Sequence, residues 1–126
     1  MSLEADIFST LGSLVSNRVY PLSFIQPNGA LPVWPAIRYE FISVIPYPTQ
    51  CGDGGDATAD TRVQIDYAAT TFMAMRAGRL QIMAAMEPFY PPVRFQDSFE
   101  RKDEVTKTYH VSLDYIVYRS SIAGSP

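Results

Sequence analysis

Across its 126 residues the chain has one cysteine, Cys51, and one histidine, His110. A lone cysteine excludes an internal disulfide and fits a reducing compartment. A lone histidine has no second imidazole to share a metal, and no cysteine or acid pair near it has ligand spacing. A Cys51–His110 nucleophilic pair is disfavoured too, because Cys51 lies among glycines with no electropositive neighbour to stabilise a thiolate. Runs of basic residues are missing. With a net charge of −3 and a pI near 5.0, the chain is a poor match for nonspecific nucleic-acid binding. No apolar run is long enough to cross a bilayer, and the N-terminus lacks the basic and apolar regions of a signal peptide. The expected location is the cytoplasm of the cell that makes it. Gly52-Asp53-Gly54-Gly55 precedes a strand pattern rather than a helix, so it is no phosphate cradle. No catalytic machinery and no cofactor is expected.

What the chain does have is apolar periodicity. Hydrophobic residues make up 47% and charged residues 18%, enough for one globular domain spanning residues 1–126. Ser2 to Val15 reads as an amphipathic helix, with Glu4 and Asp6 in the first turn and Ile7, Leu11, Leu14 and Val15 as its buried stripe. Asn17 is its expected stop, and Val19-Tyr20-Pro21 is a short extended piece. Residues 21–35 form a proline-rich connection in which Trp34 covers the edge of the core.

Ala36 to Ile45 is the first full strand, ended by Pro46 and Pro48. Arg62 to Ala69 alternates Val63, Ile65 and Tyr67 against Arg62, Gln64 and Asp66. It runs into a helix from Thr70 to Met86, with Thr70 or Thr71 as N-cap. Met73, Ala77, Leu80 and Ala84 recur at helical spacing as the expected core stripe. Val93 to Phe99 is a modest strand, Glu100 to Glu104 a charged hairpin tip, and Lys107 to Tyr118 the best strand of the chain. Asp66 and Asp114 lie on polar strand faces, where cross-strand contacts are commoner than an acid–base pair. The expected fold is α+β: a four-stranded, mainly antiparallel sheet with two helices on one face, in the order α-β-β-α-β-β.

Two segments read as unpacked. Arg119 to Pro126 is a frayed tail. Thr49 to Asp60 is a mobile loop, with Cys51, Gly52, Asp53, Gly54, Gly55 and Asp56 as its partner-contact stretch. Asp53, Asp56 and Asp60 invite a calcium reading, but their spacing does not match an EF-hand loop.

A sheet covered on one side only should be polar on the other. Here the first strand carries Ile42 and Val44 on the second face, and the last carries Ile116 and Tyr118. These four are either an exposed interface or are covered by the 21–35 connection through Phe24 and Trp34.

Several stretches, in order, carry a family likeness: Ile7 and Leu11 in the opening helix, Arg18-Val19-Tyr20-Pro21, Leu31-Pro32, Arg62-Val63-Gln64-Ile65-Asp66 and Tyr109-His110-Val111-Ser112-Leu113-Asp114-Tyr115. Nearly the whole chain resembles the phage tail-completion proteins, or tail terminators, of long-tailed phages and prophages. The resemblance implies an α+β subunit of a six-membered ring that caps the tail tube, stops its polymerisation and offers the head a docking surface. Its implied partners are other copies of itself, the tail-tube protein and a head connector or stopper protein. DNA would pass through the lumen without specific binding, and no membrane is involved. The implied location is the host cytoplasm during assembly and then the virion tail. The resemblance also favours the interface reading of Ile42, Val44, Ile116 and Tyr118, with the helix face of Arg76 and Arg79 as the opposing rim. The alternatives are a head-to-tail connector or minor tail protein and, from another class, a small-ligand-binding or enzyme domain using the sheet face near Trp34 and His110.

The Thr49–Asp60 segment has little to anchor it, so limited proteolysis of the isolated protein should cut there first. First cleavage elsewhere would contradict the reading.

Overall fold

A computed structural model describes residues 3–25, 29–45, 60–89 and 92–118. The expected loop at 49–60, except Asp60, and the tail at 119–126 lie outside the described residues, as do Cys51 and the glycine stretch after it. The first helix, α1 (Leu3–Leu11), buries Leu3, Ile7 and Leu11 and tightens into a 3-10 turn at Gly12–Leu14. Asn17 ends it in the left-handed region, φ 64°, and its N–H donates to the Gly12 carbonyl at 2.7 Å.

Five strands follow: β1 (Val19–Pro21), β2 (Ala36–Ile45), β3 (Asp60–Ala69), β4 (Val93–Asp103) and β5 (Thr108–Val117), with α2 (Phe72–Met86) between β3 and β4. They form one mixed sheet in the order β1-β2-β3-β5-β4. The expected four-stranded sheet therefore gains a fifth strand. Val19–Pro21 pairs with Ile37–Tyr39 in parallel, the other pairings being antiparallel. A three-residue strand at a proline is too short for period-two patterning to register.

Asp60 belongs to β3, opposite Ile45, and is buried. Glu100 to Asp103 belong to β4, so the hairpin turn is Glu104–Lys107 rather than Glu100–Glu104. A mixed-charge run can be an exposed edge strand as easily as a tip, and β4 is such an edge.

Both helices pack on the face that carries Ile37, Tyr39, Val63, Ile65, Tyr67, Val111, Leu113 and Tyr115, and with them form one core. Thr71 caps α2, its hydroxyl accepting from the Ala74 N–H at 3.1 Å. The face of α2 that packs differs from the expected one. Met75, Gly78, Ile82 and Met86 are buried, whereas Met73 is 75% and Leu80 62% exposed. Apolar residues occur nearly all round this helix, so periodicity alone does not fix its rotation. Gly78 fixes it. A Cβ there would collide with the buried ring of Tyr67, so the helix approaches the sheet most closely at its one glycine.

Two bulges interrupt the outer ladders. β2 shifts register between Phe41 and Ser43, and β4 between Phe95 and Asp97. Phe41 pairs with Val63, Val63 with Tyr115 and Tyr115 with Phe95, so the two bulges flank one transverse row.

Gly78→Ala should destabilise the protein by about 1–3 kcal/mol through overpacking, although alanine favours a helix by roughly 1 kcal/mol over glycine. Urea unfolding is the measurement. The reverse change at exposed Ala77, to glycine, should cost about 1 kcal/mol from propensity alone. A Gly78→Ala protein as stable as wild type would contradict the close approach to Tyr67.

Candidate functional site

The second face of the sheet is polar in composition and buried at its centre. Asp66, Ser112 and His110 are 1%, 1% and 3% exposed. A buried carboxylate needs both charge and hydrogen-bond partners, and Asp66 has them. Arg38 pairs with one oxygen. The other accepts from the Ser112 hydroxyl and from Gln64 Nε2, the latter at 3.1 Å. Arg38 also donates to Glu40 at 3.2 Å and to the Leu22 carbonyl at 2.7 Å, which ties the 21–35 connection to the sheet. Asp114 has its own arginine, Arg62, at 3.2 Å. Asp66 pairs across the ladder with Ser112, and Asp114 with Gln64. The two carboxylates are thus separate cross-strand ion pairs, as expected, and not an acid–base couple.

His110 lies under the connection. Phe24 meets its ring edge-on at 5.7 Å between centroids, and Trp34 lies at 6.4 Å. Arginine can only donate, so the 3.5 Å contact from Arg101 makes Nδ1 the acceptor and leaves Nε2–H to donate to Thr108 Oγ1 at 2.8 Å. Burial, followed by the Arg101 and Arg38 guanidiniums, holds the imidazole below its ordinary 6.5 against the opposing pull of Asp103. The arrangement makes His110 a neutral hydrogen-bonding post beneath two aromatic rings. Among the described residues no group of three His, Cys, Asp or Glu could hold a metal ion.

The sequence-predicted interface residues fall in two places. Ile42 is exposed, 42%, and sits at the β2 bulge, where it has no cross-strand partner. That bulge displaces the alternation: Ser43 pairs with Arg62 and Val44 with Thr61, so Ile42 and Val44 are not in simple phase on one face. The side chain of Val44 lies outside the described residues. Ile116 and Tyr118 are half-buried on β5 and just beyond it. Arg62, between Ser43 and Ile116 in the same row, interrupts the apolar surface. Phe24 and Trp34 do not cover this end. They rest on His110, six residues from Ile116 along β5, or about 20 Å at roughly 3.3 Å per residue.

Arg76 and Arg79 lie on the other side of the molecule, where α2 overhangs β4. Arg76 pairs with Glu100 at 3.4 Å and stacks over the Phe72 ring. Arg79 donates to Ser98 Oγ at 3.2 Å. With Leu80 and Phe99 these residues line a cleft of about 400 Å³. Beside it, burial pushes the Tyr115 phenol up to about 12, with Arg79 pulling the other way. Sequence reasoning found the two arginines but not the cleft, because α2 was assigned the wrong buried face.

The chain's class is that of a structural protein of phage tails. It belongs to the family described as tail completion protein gp17, whose model matches residues 19–119, that is, all five strands and α2. No curated protein matches the chain. The family bears out the resemblance drawn from the sequence. No helix is long and apolar enough to cross a membrane among the described residues.

A depressed folded value at His110 means that the unfolded chain takes up the proton first as pH falls. Its contribution to stability is full above the unfolded value of 6.5 and is lost as pH drops through the folded one. The melting temperature of the wild type should therefore fall between roughly pH 7.5 and pH 5.5, and His110→Gln should flatten that fall. Parallel curves for the two proteins would contradict a buried neutral imidazole.

Proposed function

We propose that the protein caps the tail tube as a subunit of a six-membered ring, stops tube polymerisation and presents the surface on which the head docks. Its partners are further copies of itself, the tail-tube protein and a head connector or stopper protein. DNA passes through the lumen without specific contact, in keeping with the acidic balance of the chain. Assembly takes place in the host cytoplasm and the product resides in the virion tail. The observation that supports this reading, beyond family membership, is that one protomer has two unlike surfaces: the end of the second face with exposed Ile42 and half-buried Ile116 and Tyr118, and the arginine-bearing cleft between α2 and β4. A closed ring is heterologous, so each protomer needs two different complementary patches. An apolar end set against a rim with exposed Arg76 and Leu80 meets that requirement. Exposed apolar groups such as Ile42 and Leu80 are a usual mark of an interface.

Ile42→Glu and Tyr118→Glu should each leave the monomer folded and weaken self-association by about tenfold or more, at about 1.4 kcal/mol per tenfold. Mass measurement in solution at high concentration reads the association, and electron microscopy of tails assembled with each variant reads the capping. Variant proteins that still cap tails at normal length would remove this patch from the interface.

A further inference from the structure

A second open surface on the second face belongs to neither of these patches. Residues of the 21–35 connection and the turn end of the β4–β5 hairpin enclose a groove of about 620 Å³. Its floor is aromatic: Phe24, Trp34 and His110 are in mutual ring contact, Phe24 and Trp34 edge-on at 5.2 Å. Its rim is apolar and open, with Leu22 66%, Ile25 60% and Val105 91% exposed.

The display of Leu22 is fixed. Its backbone is left-handed, φ 66°, which is uncommon for a residue other than glycine. That conformation is clamped from both sides. The Leu22 N–H donates to the Tyr39 carbonyl at 2.8 Å, and the Leu22 carbonyl accepts from Arg38 at 2.7 Å. Backbone held in a sparsely populated region by its surroundings is a pointer to function.

Two charges in the groove, Arg101 and Asp103, have no ion-pair partner among the described residues, and they differ in how well hydrogen bonds satisfy them. Arg38 is matched by Asp66 and Glu40. Asp103 accepts from the amides of Val105 and Thr106. Among the described residues Arg101 has two long contacts, at 3.5 Å to Ser112 Oγ and 3.5 Å to His110 Nδ1, and no carboxylate within ion-pair distance.

We propose that this groove takes an extended acidic–apolar peptide segment of a partner protein. Its apolar side chains pack on the rim and on the Phe24 and Trp34 rings, and a neighbouring carboxylate pairs with Arg101. Guanidinium and carboxylate make the strongest and most directional of surface pairings. Apolar positions stand on both sides of the groove, Leu22 and Ile25 on the connection and Val105 on the hairpin. Apolar contacts spread over two segments, beside one guanidinium, suit several side chains of one peptide segment. The inference does not depend on the ring, since the groove lies at the His110 end of the face and not at the Ile116 end.

Trp34 is the only tryptophan, so its emission reports directly on the groove. The full chain is panned against a random linear peptide library, and the enriched sequences are synthesised and titrated. The expected winners join leucine or an aromatic to aspartate or glutamate and shift Trp34 emission saturably. Arg101→Gln should weaken their binding by about tenfold or more in a protein that still unfolds cooperatively. Leu22→Asn is the second variant. Asparagine tolerates the left-handed backbone, so this variant should fold at least as well as wild type while it loses affinity. Absence of enrichment, winners without an acidic residue, or binding insensitive to Arg101 would each overturn the proposal. Self-association abolished by Arg101→Gln would assign the groove to a second copy and overturn it as well.

Discussion

Asp66 stands on a central strand, 1% exposed, and a carboxylate in that position must be neutralised. Arg38 does this from the neighbouring strand, and with its remaining donors it reaches Glu40 and the backbone of Leu22. One side chain thus joins β2, β3 and the connection that crosses the second face. The net contribution of a buried pair over an apolar pair is small or even unfavourable, while removing one partner costs about 3–5 kcal/mol. The pair therefore acts as a constraint on arrangement. Chain paths that leave Arg38 away from Asp66 are penalised, and the path that satisfies both also brings Phe24 and Trp34 over His110.

Much of this was legible in the sequence. Val63, Ile65 and Tyr67, and the unbroken apolar row from Tyr109 to Val117, identified both central strands and their buried face, because period two is unambiguous when polar residues fill the alternate places. The Thr71 cap and the Asn17 stop were readable because each depends on one residue and its immediate neighbours. The rotation of α2 was not. Its apolar residues surround the axis, and the contact of Gly78 with Tyr67 joins positions eleven apart in sequence that only the packed structure compares. Val19-Tyr20-Pro21 was readable as extended, but its place in the sheet was not, because it pairs in parallel with β2, a non-local contact without a local pattern.

The surfaces were less legible than the core. Strict alternation along β2 put Ile42 and Val44 together, but the bulge after Phe41 breaks the count. An inserted residue leaves the composition of a strand unchanged, so no propensity signals it. The groove at His110 had a partial signal. Trp34 and His110 were recognised as neighbours on a sheet face, whereas the exposed rim depends on the left-handed turn at Leu22, which leucine does not announce. Family membership then supplies the setting, a phage tail, and the open surfaces supply the places where contact can occur.

The bulge in β4 bears on what the edge of the sheet can pair with. β4 is eleven residues long and, among the described residues, has no strand on its outer edge, the kind of template on which identical chains stack into sheets. A straight strand laid along that edge keeps register up to Phe95 or from Asp97 onward, but not through Gln96, which has no cross-strand partner. Arg94, Asp97, Glu100, Arg101 and Lys102 add mixed charge along the same edge. An irregularity that looks like a local defect in the ladder thus interrupts the template for indefinite stacking.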